Sequence, residues 1–242
     1  MVLAALAAFV GALVQSATGF GFALILGPAL FAVLEPVEAV TALLVLGLVL
    51  NLLVLFESGR PRHVAWRPLR PVLLAAAPGL ALGLVLLSAL SKQALQVTVG
   101  LAVVLAAAWQ LSQRRRPKRP ALAPWAGWAV GFASGTLTTS ISLSGPPMVL
   151  WLEAREVPPE EFRTTLAASF ALFNLAGGVL LLVTEGLSAL DAGVVLSLLV
   201  LVVVGHLFGA FAFRRIDRER FFVVVLVLVV ATGLASIAAG LA

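Results

Sequence analysis

Apolar runs long enough to cross a lipid bilayer dominate the chain. A helix needs about 20 residues to cross a hydrocarbon core about 30 Å thick. Six uninterrupted runs reach or approach this length: 37–56, 72–90, 93–112, 162–183, 190–212 and 220–240. Two further apolar stretches, 1–34 and 122–152, are longer than one crossing needs and are interrupted by Gly, Ser, Thr and Pro. The pattern predicts an all-α polytopic membrane protein with six continuous spans and two broken stretches.

The composition agrees with this prediction. Of the 242 residues, 62% are hydrophobic and 11% are charged, whereas charged residues make up about 25% of a soluble domain. The chain has no cysteine, which excludes disulfides and thiolate metal sites. The formal net charge is +5, but the basic residues lie in short loops beside apolar runs. We therefore expect these charges to contact the lipid bilayer and not nucleic acid.

The short loops predict an orientation. Loops 60–70, 114–119 and 214–220 are rich in Arg, whereas 184–191 has two acidic residues and no basic one. The positive-inside rule places the three basic loops in the cytoplasm and the acidic loop outside. If both broken stretches crossed the membrane fully, the 214–220 loop would lie outside, against the rule. If each broken stretch instead enters and leaves the membrane on the same side, fifteen of the sixteen Lys and Arg residues lie in the cytoplasm.

We therefore predict that each broken stretch is a re-entrant hairpin of two short helices. The helices are expected at 2–16 and 20–34 in the first hairpin, and at 124–137 and 145–153 in the second. Broken backbone at membrane depth is tolerated where it is buried in protein or lines a wet cavity.

The order of one hairpin and three spans then occurs twice. Residues matched at offsets of 118 to 126 support a duplication: Val10-Gly11 with Val130-Gly131, Gly27-Pro28 with Gly145-Pro146, Asn51 with Asn174, and Gly79-x-x-x-Gly83 with Gly205-x-x-x-Gly209. Three crossings is an odd number, so the second half is inserted upside down, as in many secondary transporters. The predicted organisation is a first repeat at 1–112, a basic cytoplasmic linker at 113–123 and a second, inverted repeat at 124–242.

The two broken stretches carry motifs, "GALVQSATGFGFALILGPAL" from residue 11 and "GFASGTLTTSISLSGPPMVLWL" from residue 131. They resemble the paired motifs of the TauE/SafE sulfite exporter family, over nearly the whole chain. The resemblance implies transport of sulfite, sulfonates or related organosulfur anions. It points to these positions: Gln15, Thr18, Gly19, Gly21, Pro28, Gly131, Gly135, Gly145 and Pro146. The segment "TTSISLSGPP" stands where the family pattern is richer in glycine.

The residues themselves favour an anion site that contains no charged side chain. No Lys or Arg lies well inside a predicted span, whereas a helix N-terminus offers unpaired N–H groups and a partial positive charge. The second helix of each hairpin begins after a break near the membrane midplane, so we expect two N-termini to converge on one anion. The hydroxyls beside the breaks are candidate donors: Ser16, Thr18, Thr138, Thr139, Ser140, Ser142 and Ser144. The alternative is that these small residues only permit close helix packing.

Four further polar residues are candidates. Asn51 and Asn174, at matched positions, either bind the anion or form hydrogen bonds between helices. His206 is the only histidine within a predicted span; it is either a proton carrier or the partner of a neighbouring helix. Arg163 either attracts anions at the cytoplasmic mouth or anchors a helix end.

The leading hypothesis is a secondary transporter that exports a small sulfur-containing anion, driven by an ion gradient. An anion channel, or an importer of another small anion, is the alternative. We expect no enzyme, no cofactor and no metal site, because the chain lacks cysteine, a histidine pair at metal-ligand spacing and an acidic residue deep in a span. The expected location is a bacterial or archaeal cytoplasmic membrane, and homo-oligomerisation is left open.

Overall fold

Ten α-helices make up the described part of the chain. The computed structural model describes residues 2–57, 63–113, 122–186, 191–212 and 218–241. Every regular element in these ranges is an α-helix, and the helices are α1 Val2–Thr18, α2 Phe22–Val33, α3 Pro36–Phe56, α4 Trp66–Ala89, α5 Lys92–Gln113, α6 Ala126–Ile141, α7 Gly145–Ala154, α8 Pro159–Glu185, α9 Ala192–Ala212 and α10 Arg218–Leu241.

The predicted spans coincide with the six long helices. Five of these, α3, α4, α5, α8 and α9, are long and apolar enough to cross a membrane. The sixth predicted span, 220–240, coincides with α10, whose side chains are described only in part. The loop segments 60–62, 114–119, 187–190 and 214–217, on which the predicted orientation rests, lie outside the described residues, as does most of the predicted linker.

One long helix begins earlier than its apolar run. The run starts at residue 72, whereas α4 begins at Trp66. Its first turns contain Arg67 and Arg70, which are exposed, while Leu69 between them is buried. An amphipathic start of this kind is not part of a continuous apolar run, so the length of the run does not include it.

Each broken stretch folds back on itself. Gly11 of α1 packs against Phe22 at the start of α2, and Gly21 packs against Val14. In the second stretch Gly127, near the start of α6, packs against Trp151 near the end of α7. Both stretches are therefore antiparallel helical hairpins.

The turns of the hairpins have left-handed backbone. We call residues 19–21 the first tip and residues 142–144 the second tip. Gly19 and Gly21 have φ of 92° and 116°, which glycine adopts without a steric penalty. Ser142, with φ of 58°, ends α6 in the same left-handed region.

Each hairpin packs along a helix from the other half of the chain. Gly205 and Gly209 of α9 face the backbone carbonyls of Phe9 and Leu13 on α1. The matched pair on α4, Gly79 and Gly83, faces the carbonyls of α6 in the same way. In both pairs the contacts advance together along the two helices, so the helices run parallel.

The remaining long helices pair in opposite directions. On α3 and α8, Gly47 contacts Asn174, whereas the later Glu57 contacts the earlier Arg163. Helices α5 and α10 are likewise antiparallel, since Gly233 of α10 meets Gly100 and Gly240 meets the earlier Gln93.

We predict that Gly83→Ala and Gly209→Ala each lower the free energy of unfolding by about 1–3 kcal/mol, because the added methyl group overlaps a backbone carbonyl and forces two helices apart. Gly178→Ala is the matched control, because no atom lies within 4 Å of its Cβ position and alanine is the better helix former. Thermal unfolding in detergent, followed by circular dichroism, measures the difference. Equal midpoints for the three variants would contradict the packing.

Candidate functional site

A cavity of about 40 Å³ lies where the two hairpin tips meet. The tips form part of its wall, and one face each of α3 and α8 forms much of the rest. On α3 the lining residues are Leu43, Gly47 and Asn51, which recur every four residues and so share one face. None of the described residues that line the cavity carries a charge.

Gln15 holds the first tip in place. Its side-chain oxygen accepts a hydrogen bond from the backbone N–H of Phe22 at 3.1 Å, and its Nε2 donates to Asn51 Oδ1 at 2.9 Å. Asn51 Nδ2 in turn donates to the carbonyl of Gly47 at 2.7 Å. This chain joins α1, α2 and α3 and caps the first N–H of α2.

Asn174 faces the same cavity without such a partner. The residue is 9% exposed, and its side chain makes no hydrogen bond with the part of the chain that the structure describes. Its Nδ2 lies over Gly47, where a Cβ would come within 2.6 Å. Ser142 and Ser144 line the cavity, and their hydroxyls are also unpartnered among the described residues. Three polar side chains are therefore available to a ligand.

The two helix N-termini at the cavity differ in what they offer. Ala23 and Leu24, in the first turn of α2, line the cavity, and their backbone N–H groups have no acceptor among the described residues. At the start of α7, Pro146 and Pro147 follow Gly145, and proline has no N–H to donate. The second N-terminus therefore contributes fewer donors than the predicted arrangement requires.

The structure brings together about half of the predicted site residues. Those that line the cavity are Gln15, Gly21, Asn51, Ser142, Ser144, Gly145 and Asn174. Pro146 is the second residue of α7.

Most of the other predicted hydroxyls bond to backbone carbonyls away from the cavity. Thr138 and Ser140 donate to carbonyls one turn earlier in α6, and Thr139 donates to Leu80 of α4 at 2.6 Å. Thr18 is exposed, and its hydroxyl lies near two carbonyls around the first tip. The geometry of these hydroxyls is that of helix packing.

The predicted residues Ser16, Gly19, His206 and Arg163 form two contacts outside the cavity lining. Ser16 Oγ lies 2.8 Å from His206 Nδ1, and both residues are buried. Gly19 packs directly on Arg163, whose guanidinium pairs with Glu57 at 2.7 Å.

Several cavity residues were not predicted from the sequence. Phe20 of the first tip and Phe170 of α8 form apolar walls, and Gly47 makes room for Asn174. Gly47 and Phe170 each precede a matched asparagine by four residues, which is the only signal that would have identified them.

The comparisons with known proteins identify a family for the chain. A family model described as "Sulfite exporter TauE/SafE" matches residues 3–236. A protein of Cupriavidus necator H16, named "Probable sulfite/organosulfonate exporter TauE", is 27% identical over 193 residues, which cover 76% of this chain and 72% of that protein. No solved structure matches the chain. The match over nearly the full length confirms the resemblance drawn from the two motifs, and the chain belongs to the TauE/SafE sulfite exporter family of membrane transporters.

Proposed function

We propose that the protein is a secondary transporter that exports a small sulfur-containing anion, sulfite or an organosulfonate, through the cavity between the hairpin tips. The observation that carries this proposal is the buried, unpartnered amide of Asn174 in a cavity that also receives a helix N-terminus. We place the protein in the cytoplasmic membrane of a bacterium, in keeping with its family and the source of its relative.

Neutral donors suit a sulfonate or sulfite headgroup. Asn174, Ser142 and Ser144 offer N–H and O–H donors, and the free N–H groups of α2 add the partial positive charge of a helix N-terminus. A cavity needs a volume of about 10–15 Å³ to hold one water molecule. The cavity of about 40 Å³ therefore has room for about three waters or one small oxyanion. Phe20 and Phe170 offer an apolar surface to a short organic group.

We further propose that the halves form inverted repeats with re-entrant hairpins. The helix directions support this, because the matched helices α3 and α8 run antiparallel, as do α5 and α10. In an inverted repeat, a two-fold axis in the membrane plane relates the two helices of each such pair. The same axis relates the packed helices α1 and α9 to the packed helices α6 and α4.

We expect purified protein in liposomes to transport radiolabelled ethanesulfonate and sulfite.

Asn174→Ala should weaken ethanesulfonate binding by about five- to 150-fold, because losing one donor to a buried anion costs about 1–3 kcal/mol. Gly178→Ala, one turn further along α8 in open space, is the control and should bind as the native chain does. Equal affinity in both variants would remove Asn174 from the site. Flux that follows voltage alone would indicate a channel.

The matched asparagine should behave differently. Asn51→Ala leaves Gln15 Nε2 without its acceptor, so it should lower the free energy of unfolding by about 1–3 kcal/mol. Asn174→Ala removes no hydrogen bond to a described residue, so its thermal midpoint should fall clearly less.

Single-cysteine labelling tests the proposed orientation, since the native chain has no thiol. Ser91→Cys and Glu185→Cys should react with an impermeant maleimide from outside, and Trp66→Cys and Ala123→Cys only from the cytoplasmic side. The four positions are exposed. If Glu185→Cys and Ala123→Cys were both labelled from the same side of the membrane, the inverted repeat would be contradicted.

His206 is our candidate for coupling export to the proton gradient. It lies on α9 and reaches Ser16, the residue next to the cavity-lining Gln15. We expect His206→Gln to abolish the pH dependence of ethanesulfonate transport. His63→Gln changes the other histidine, which is exposed before α4, and should retain that dependence. An unchanged pH profile in His206→Gln would leave histidine without a coupling role.

A further inference from the structure

We propose that Glu57 and Arg163 form a gate that holds the first hairpin tip closed over one mouth of the cavity. The two side chains join the end of α3 to the start of α8 through an ion pair of 2.7 Å. The inference extends the proposed transport site, on which it rests, by naming the residues that control access to it.

The ion pair lies directly against the first tip. A Cβ added at Gly19 would be 3.3 Å from Arg163 Cγ and 3.5 Å from Leu166 Cδ1. Phe20 and Gly21, the next two residues, line the cavity. The tip is therefore a thin layer with the ion pair on one side and the cavity on the other. Movement of the tip away from α8 requires Gly19 to leave Arg163.

Neighbouring hydrogen bonds make this end of α8 a firm support. Thr164 Oγ1 donates to the carbonyl of His63 at 3.0 Å, and the N–H of Ala65 donates to Thr165 Oγ1 at 3.0 Å. The chain before α4 is thus fixed to the same turn that carries Arg163. Opening at this mouth is accordingly a movement of the hairpin tip and α3 relative to α8.

A second ion pair lies at the opposite end of α3. Lys92 pairs with Glu35 at 3.0 Å, and Glu35 immediately precedes α3. Glu57 immediately follows the same helix of 21 residues, so the two pairs lie about 30 Å apart. The cavity lies against α3 between them.

The two pairs differ in their exposure to water. The side chains of Arg163 and Glu57 are 20% and 23% exposed, whereas those of Lys92 and Glu35 are 31% and 70% exposed. Water and salt screen exposed pairs more strongly. The Glu57–Arg163 pair is therefore the less screened of the two, and we assign the closed mouth of the cavity to that end of α3.

The test is the rate at which a thiol in the cavity reacts with a small, charged, membrane-impermeant reagent. The reporter is Ser144→Cys, which lines the cavity and is the only thiol in the chain. Adding Glu57→Gln should raise the labelling rate roughly five- to thirtyfold, as expected when an open minor state gains population. The increase should appear only from the membrane side at which Trp66→Cys reacts, because residues 63–65 are fixed to the start of α8.

Two further variants separate a gate from a general support of the fold. Lys92→Gln breaks the other ion pair and should leave labelling from the Trp66 side unchanged. The exchange Glu57→Arg with Arg163→Glu restores an ion pair and should restore slow labelling. Arg163→Gln breaks the same pair from its other partner and serves if Glu57→Gln does not fold.

The outcomes decide between the two proposals. A labelling rate within about twofold of the parent in both Glu57→Gln and Arg163→Gln, or an increase that the charge exchange does not reverse, would overturn the gate. Labelling needs no substrate, so the gate stands or fails on these rates alone. Failure of the anion proposal would show instead as absent ethanesulfonate binding.

Discussion

Buried backbone N–H and C=O groups must find their hydrogen-bond partners within the protein, and at the first tip the amide of Gln15 supplies one of these partners. It accepts from the first N–H of α2 and donates to Asn51, which donates to the carbonyl of Gly47. One uncharged side chain thus fixes the tip to two helices. The wall of the cavity depends on this arrangement, because Gly21, Asn51 and Gly47 all line it.

The second tip meets the same demand in a different way. Ser142 turns the chain in a left-handed conformation, and two prolines remove donors from the start of α7. Asn174, which occupies the matched position to Asn51, has no glutamine opposite it, because the residue of α6 matched to Gln15 is Gly135. The first tip therefore satisfies its own polar groups to a larger extent, while the second leaves an amide and two hydroxyls available. The two tips therefore contribute unequally to the wall of the cavity.

Much of the helical fold could be predicted from the sequence, because membrane thickness sets the length of an apolar run and Gly, Ser, Thr and Pro mark where two of the runs are interrupted. The hairpins, five long apolar helices and the family itself agree with that prediction. The start of α4 was missed because its first turns alternate polar and apolar residues. The placement of the halves in the membrane stays a prediction.

The lining of the cavity was predicted less completely, for a physical reason. A hydroxyl in a helix can bond to a carbonyl one turn earlier, as Thr138 and Ser140 do, and residue type alone does not show which way it faces. Apolar wall residues such as Phe170 carry no chemical signal in the sequence. Asn51 and Asn174 were identified because an amide within a span needs a partner, but only the structure distinguishes the satisfied amide from the free one.

The glycine contacts between halves have a consequence for each half on its own. Helix α1 packs on α9 through Gly205 and Gly209, and α6 packs on α4 through Gly79 and Gly83, so each hairpin finds its closest neighbour in the other half. Each half thus carries a glycine pair that fits the hairpin of the other half. We would expect two copies of one half, expressed alone, to exchange hairpins and fold as an intertwined dimer.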